Sequence, residues 1–306
     1  MKNRLLTAAA ALGVVALAGC GGGSSPLDTS TPSAGGSAAA GTITIGSANF
    51  PESALLAEIY AGALQAKGVK VSTKLNIGAR EVYIPALQDG SIDLVPEYTG
   101  VLMQYFDKSA TAVTPDDVYA ALQKALPANL TVLEKSSAED KDAVVVTKET
   151  ADKYHLTSIA DLAPVASQLV LGGPPEWPSR PTGLPGLKKI YGLTFKEFKP
   201  LDVAGPLSVQ ALKSGQVAAV DLFTTQSAIA ANGFVVLQDP KNLFAAQNVV
   251  PLITKSKADP TVTAALNAVS AKLDTTMLAG LVKQVEVDKT DAATVAKNWL
   301  TQNGLA

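Results

Sequence analysis

The sequence predicts an α/β fold with two sheet-bearing lobes. Three observations carry that expectation: short apolar strands alternate with amphipathic helices from Thr42 onward, the alternation starts afresh at Val144, and from Pro260 the chain turns wholly helical. A second sheet followed by helices suggests that the chain crosses back to finish its first lobe. Open sheets of this class place their crevice at the carboxyl ends of the strands, so a site is sought in the loops leaving those ends.

Taken in order, the chain opens with Lys2 and Arg4, then an uncharged run from Leu5 to Ala18 that is too short for a comfortable membrane span. This is a signal-peptide pattern over residues 1–19. The run ends in Leu17-Ala18-Gly19-Cys20, which resembles the lipobox of bacterial lipoproteins. The resemblance implies cleavage before Cys20, a lipid on its sulfur, and anchoring at the outer face of the cytoplasmic membrane. A plain secretory signal with an incidental cysteine is the alternative. Residues 20–41 continue as Gly, Ser, Ala, Thr and Pro with one charge, Asp28, and read as a flexible tether.

Composition narrows the function of the remaining chain. With 25 Lys and Arg against 27 Asp and Glu, there is no basic face for nucleic acid. No later stretch is long and apolar enough to span a bilayer. Cys20 is the only cysteine, so the fold holds without a disulfide, and His155 is the only histidine, which argues against a His-based metal site or a Ser-His-Asp triad. No cofactor is called for, and a monomer is expected.

The first lobe reads as a strand at 42–47, a helix from Pro51 to Lys67 ended by Gly68, a strand at 69–75, a helix at 79–88, a turn at Asp89-Gly90 and a strand at 91–95. Three loops then meet on one rim: Ser47 to Phe50 with Asn49, Gly78 to Glu81 with Arg80, and Pro96 to Gly100 with Tyr98. Beside Tyr98, a buried Glu97 needs hydrogen bonds, while the tyrosine offers an aromatic face. Tyr98 as a core residue with Glu97 solvated is the other reading.

A helix at 114–126, opened by Thr-Pro-Asp-Asp, leads toward the second lobe, whose first strand is Val144 to Val146. Its most unusual stretch is Gly172 to Gly192, where prolines and glycines crowd between apolar flanks. It reads as a rigid loop presenting Glu176, Trp177 and Arg180. An ordinary surface loop in which Glu176 and Arg180 pair with each other stays open. Strands at 217–222 and 235–237, an apolar run at 249–253, and helices at 260–273, 275–287 and 291–302 complete the chain.

Gly46 to Tyr60 and Ala86 to Gly100 resemble the substrate-binding proteins of osmoprotectant ABC importers, the glycine betaine, choline and carnitine class. Pro175-Glu176 with Arg180, Lys196 to Asp202, Ala211 to Gly215 and Phe223-Thr224-Thr225 agree in the same order. The resemblance implies the bilobal periplasmic-binding-protein fold, type II-like: two α/β lobes joined by two crossing strands, with the ligand between them. Crossings near Asp142 and Gln247 give residues 42–141 and 249–306 to lobe 1 and 142–248 to lobe 2. It also implies a small-molecule ligand delivered to permease and ATPase subunits supplied by other chains, and no enzymatic activity. An enzyme on the same fold is the runner-up, but the chain lacks a nucleophile and base pair, a metal-ligand cluster and a phosphate-cradling glycine motif.

The family holds a quaternary ammonium in an aromatic box, and this resemblance carries over to Tyr98, Glu176, Arg180 and Phe223. Three positions depart from it. Ala48 stands where a basic residue is common, and Asp142 and Gln247 stand where tyrosines are often found. Each lost ring removes about 0.5–2 kcal/mol. A hydroxylated or aromatic ligand, such as a polyol or polyphenol, is therefore the alternative to glycine betaine or choline; Asp142 balancing a cation by charge would preserve choline-like binding.

Overall fold

The computed structural model describes residues 41–306. The expected signal peptide, the lipidated Cys20 and all of the tether but Gly41 lie outside the described residues.

The first lobe is built from β1 (Ile43–Ala48), α1 (Pro51–Gln65), β2 (Val71–Gly78), α2 (Arg80–Gln88), β3 (Leu94–Tyr98), α3 (Thr99–Phe106), α4 (Pro115–Ala125) and β4 (Leu130–Val132). The chain then forms β5 (Asp142–Val146), α5 (Lys148–Tyr154), β6 (Val170–Gly173), α6 (Leu184–Tyr191), β7 (Glu197–Pro200), α7 (Pro206–Lys213), β8 (Ala219–Phe223), α8 (Ser227–Asn232) and β9 (Val235–Val236). It returns through β10 (Val249–Thr254) to α9 (Pro260–Ser270), α10 (Thr275–Glu286) and α11 (Ala292–Gln302).

Two five-stranded mixed sheets result, ordered β2-β1-β3-β10-β4 and β7-β6-β8-β5-β9. Sheet membership changes after β4 and again after β9. Between those points the two crossing segments run antiparallel and bridge at Glu139 and Asn248. This is the bilobal α/β architecture that the sequence leads one to expect.

Period-2 alternation explains the layers. In the first sheet Ile43, Ile45, Leu94 and Ile253 face α1 and the C-terminal helices α9 to α11, while Val95, Val250 and Leu252 face α2, α3 and α4. Close packing of α11 on α1 requires Gly62, where a Cβ would stand 2.5 Å from Leu300 Cδ1. Asp259, Asp274 and Asp291 cap the N-termini of α9, α10 and α11 by accepting from backbone N–H groups. In the second sheet Val144, Val146 and Leu171 face one core and Val145, Val220 and Leu222 the other.

Two local expectations change. The strand placed at 91–95 lies at Leu94–Tyr98 and runs straight into α3, so Pro96 to Gly100 is not a loop. Proline normally interrupts a central strand, but Pro96 is the register partner of Pro251 in a non-hydrogen-bonded pair, the Pro251 carbonyl facing β4 to accept from Leu133 N–H, so the β3–β10 ladder loses no hydrogen bond to either proline. Trp177 is not presented by its loop; at 1% exposure it is the largest fully buried side chain of the second lobe, packed with Leu171, Leu187 and Phe244. Gly183 makes room for it, since a Cβ there would lie 2.0 Å from the Trp177 carbonyl oxygen. Trp177→Ala should lower unfolding free energy by about 3–5 kcal/mol, read from urea denaturation; an unchanged midpoint would refute this placement.

Candidate functional site

The carboxyl ends of the two sheets face a common cleft. β1 delivers Ala48, Asn49 and Phe50, the start of α2 delivers Arg80, and β3 ends on Tyr98; from the other side come Asp142 at the start of β5, Arg180 in the loop after β6 and Phe223 at the end of β8. The crossing segments add Asp140 and Gln247. Together these line a cavity of about 50 Å³. A second cavity of about 390 Å³ shares Arg80, Val101 and Arg180 with it and borders Glu81.

Seven of the eight residues singled out for ligand contact, Asn49, Arg80, Tyr98, Asp142, Arg180, Phe223 and Gln247, line the smaller cavity. Glu176 does not. Its carbonyl oxygen accepts from the backbone N–H groups of Ser179 and Arg180, closing a turn that sends Arg180 to the cleft without its neighbour. Nor do Glu176 and Arg180 pair. Arg180 donates through Nε and Nη2 to Glu81 of the opposite lobe, at 3.1 and 2.9 Å.

Arg80 makes the same fork inside the first lobe. Its Nε and Nη2 donate to Glu97 at 2.7 and 2.9 Å, and the Tyr83 hydroxyl donates to the same carboxylate at 2.5 Å. Glu97 is fully buried and needs these donors, as its position beside Tyr98 suggested. Burial alone would lower the Arg80 pKa, but the Glu97 charge and hydrogen bond, with Tyr83 and Glu81, together outweigh it and hold the guanidinium charged. At Glu81 burial pushes upward, but the hydrogen bonds and charge of Arg180 prevail and keep the carboxyl below its usual range.

Tyr98 is buried, and its hydroxyl donates to Glu52 Oε1 at 2.6 Å. The other oxygen of Glu52 accepts from the Thr225 hydroxyl of the opposite lobe at 2.7 Å. Thr225 also donates its backbone N–H to Asp140 Oδ1 at 3.0 Å. Burial, then the neighbouring Glu52 charge, pushes Asp140 well above the usual aspartate range, and burial raises Glu52. Neighbouring buried acids of this kind titrate as a pair.

A second acid pair lies on the second sheet, on β5 and β8. Val144 and Asp221 are direct register partners and Asp142 is two residues from Val144, so the two aspartates share a sheet face. Asp221 is fully buried and neither of its oxygens meets a hydrogen-bond donor. Burial and then the charge of Asp142 raise it well above the usual range; burial raises Asp142 too, opposed by Arg180 and Arg80.

Three rings meet at the cavity. Phe50 lies 5.2 Å from Phe223 across the cleft and 6.2 Å from Tyr98. Phe244 is elsewhere, stacked toward Trp177 in the second core. Gln247 is buried, and its Oε1 accepts from Val101 N–H at the start of α3, a contact that tolerates no Cβ at Gly100, where one would lie 2.6 Å from the Ala246 carbonyl oxygen.

Glu52, Glu81, Asp140, Asp221 and Thr225 escaped the sequence reading. Asp221 carried a signal, an acid inside the apolar run Val217 to Phe223; the others are acids and a threonine in polar settings whose partners come from the opposite lobe.

Because Asp140 and Asp221 bind protons more tightly folded than unfolded, stability is full below the ordinary aspartate value of 3.8 and falls as pH rises toward their raised values. Asp221→Asn, whose amide can donate to Asp142, should flatten that fall in thermal melts taken at rising pH. An identical slope in the variant would show that the pair does not titrate in this way.

Comparison with known proteins agrees with this fold. The family model for the substrate-binding domain of ABC-type glycine betaine transport systems matches residues 41–302. The glycine betaine-binding protein YehZ of Escherichia coli K12 is 28% identical over 280 residues, covering 87% of this chain and 92% of that protein. A glycine-betaine-binding protein of Pseudomonas aeruginosa is 26% identical over 286 residues, with 89% and 91% covered. A solved glycine betaine/carnitine/choline ABC transporter structure superposes with a TM-score of 0.68 at 24% identity, covering 86% of this chain and 99% of that one, and shares the fold. With the family model spanning both sheets and the cleft between them, this chain belongs to the substrate-binding domains of ABC-type glycine betaine transport systems.

Proposed function

We propose that this protein captures a small solute with a cationic nitrogen between its lobes, residues 42–141 with 249–306 and residues 142–248, and presents it to an ABC permease driven by ATPase subunits of other chains. It acts outside the cytoplasm, exported by residues 1–19 and held at the membrane by lipidated Cys20. The observation that carries the ligand reading is the interlobe cavity, lined by the rings of Phe50, Tyr98 and Phe223 and by the carboxyls of Asp140 and Asp142. Rings attract a cation through their faces, and buried carboxyls balance its charge. The names of the two relatives support an osmoprotectant-class solute.

A cavity of about 50 Å³ is smaller than such a solute. Binding therefore needs the lobes to part, which breaks the Arg180–Glu81 bridge and the Thr225–Glu52 hydrogen bond, and to close again on the occupant. Occupancy becomes a shape that a permease can read. The alternative of a hydroxylated or aromatic ligand rests on Asp142, since the Gln247 carbonyl is already spent on Val101.

Thermal shift against quaternary amines, their less methylated counterparts and polyols tests the reading. A ligand at 100 times its Kd adds about 2.7 kcal/mol of stability. Phe223→Ala should weaken an amine that binds by about two- to thirtyfold. A panel in which no amine raises the melting temperature would reject the function; a response confined to polyols would favour the alternative.

A further inference from the structure

Four carboxyl groups stand at or directly behind the cavity wall in two neighbouring pairs. The first, Glu52 with Asp140, is well supplied with donors from Tyr98 and Thr225. The second, Asp142 with Asp221, is not: both oxygens of the buried Asp221 lack a donor, and Asp142 looks onto the cavity. The cations facing this pair are Arg180 and Arg80, and each already gives two N–H groups to a glutamate. Asp140, two residues along the chain, adds a second carboxyl to the same cavity. Meanwhile Phe50 spends ring contact on Phe223 and Tyr98, leaving less aromatic face for a ligand.

We propose that Asp142, backed by Asp221, receives the cationic nitrogen of the ligand through N–H donors, so that the site prefers protonated, incompletely methylated amines to fully methylated ammonium ions. This rests on the cavity being the solute site, as proposed above. A quaternary nitrogen has no hydrogen to donate and depends on ring faces. A secondary or tertiary ammonium donates a charge-assisted hydrogen bond, and Asp142 with Asp221 is a buried acceptor pair short of donors. Burial pushes both acids toward binding a proton; a proton held there leaves to solvent when the ammonium enters, and the N–H takes its place.

Calorimetric titration with two methylation series, ethanolamine through choline and glycine through glycine betaine, tests this. In the tighter-binding series, affinity should rise about tenfold or more from the quaternary to the tertiary or secondary member. Asp142→Asn should abolish that preference, while Asp221→Asn, which leaves the Asp142 carboxylate in place, should keep it. Highest or equal affinity for the quaternary member overturns the proposal and leaves the solute-binding reading standing, as does a preference that survives in Asp142→Asn. No binding by any member of either series, with the protein folded by circular dichroism, overturns both.

Discussion

A carboxyl group buried away from water must find donors, and in this protein one such group finds them in both lobes at once. Glu52 sits in the first turn of α1, turned inward, with the hydroxyl of Tyr98 on one oxygen and that of Thr225 on the other. The end of β3, the start of α1, the crossing segment at Asp140 and the loop after β8 are all tied to it directly or through Thr225. Opening the cleft removes one of its two donors, so the closed arrangement is favoured by the cost of leaving a buried acceptor unpaired.

The sequence made the layers legible because alternation marks a strand, as in Thr42 to Ile45, a continuous apolar run marks one buried on both faces, as in Val144 to Val146, and a helical period marks the segments between them. It misplaced β3 because the rule about proline in central strands is local, while the circumstance that suspends it, Pro251 opposite Pro96, is about 150 residues away in the chain. The rim of the cleft was legible for a geometric reason: strand ends in an α/β sheet point the same way, so Asn49, Arg80 and Tyr98 had to converge. Pairings across the cleft were not. Thr225 and Glu52 are separated by 173 positions, and nothing near either residue announces the other. Glu176 lay close to Arg180 in sequence, yet the turn between them separates their destinations.

The two arginine forks show how burial divides labour between identical chemistries. Arg80 and Glu97, both buried, lie within one lobe and fix the floor of the site whether the cleft is open or closed. Arg180 and Glu81 belong to different lobes and are partly exposed, with side-chain exposures of 20% and 43%. An ion pair of that exposure contributes modestly and depends on its surroundings.

That difference in exposure makes the closure of the cleft sensitive to the medium. Dissolved salt reaches the outer Arg180–Glu81 bridge, where the screening length shrinks from about 10 Å at 0.1 M to about 3 Å at 1 M ionic strength, but it does not reach the hydroxyls held on Glu52. Rising ionic strength therefore loosens the outer bridge while the inner contact on Glu52 and the Phe50–Phe223 contact stay in place.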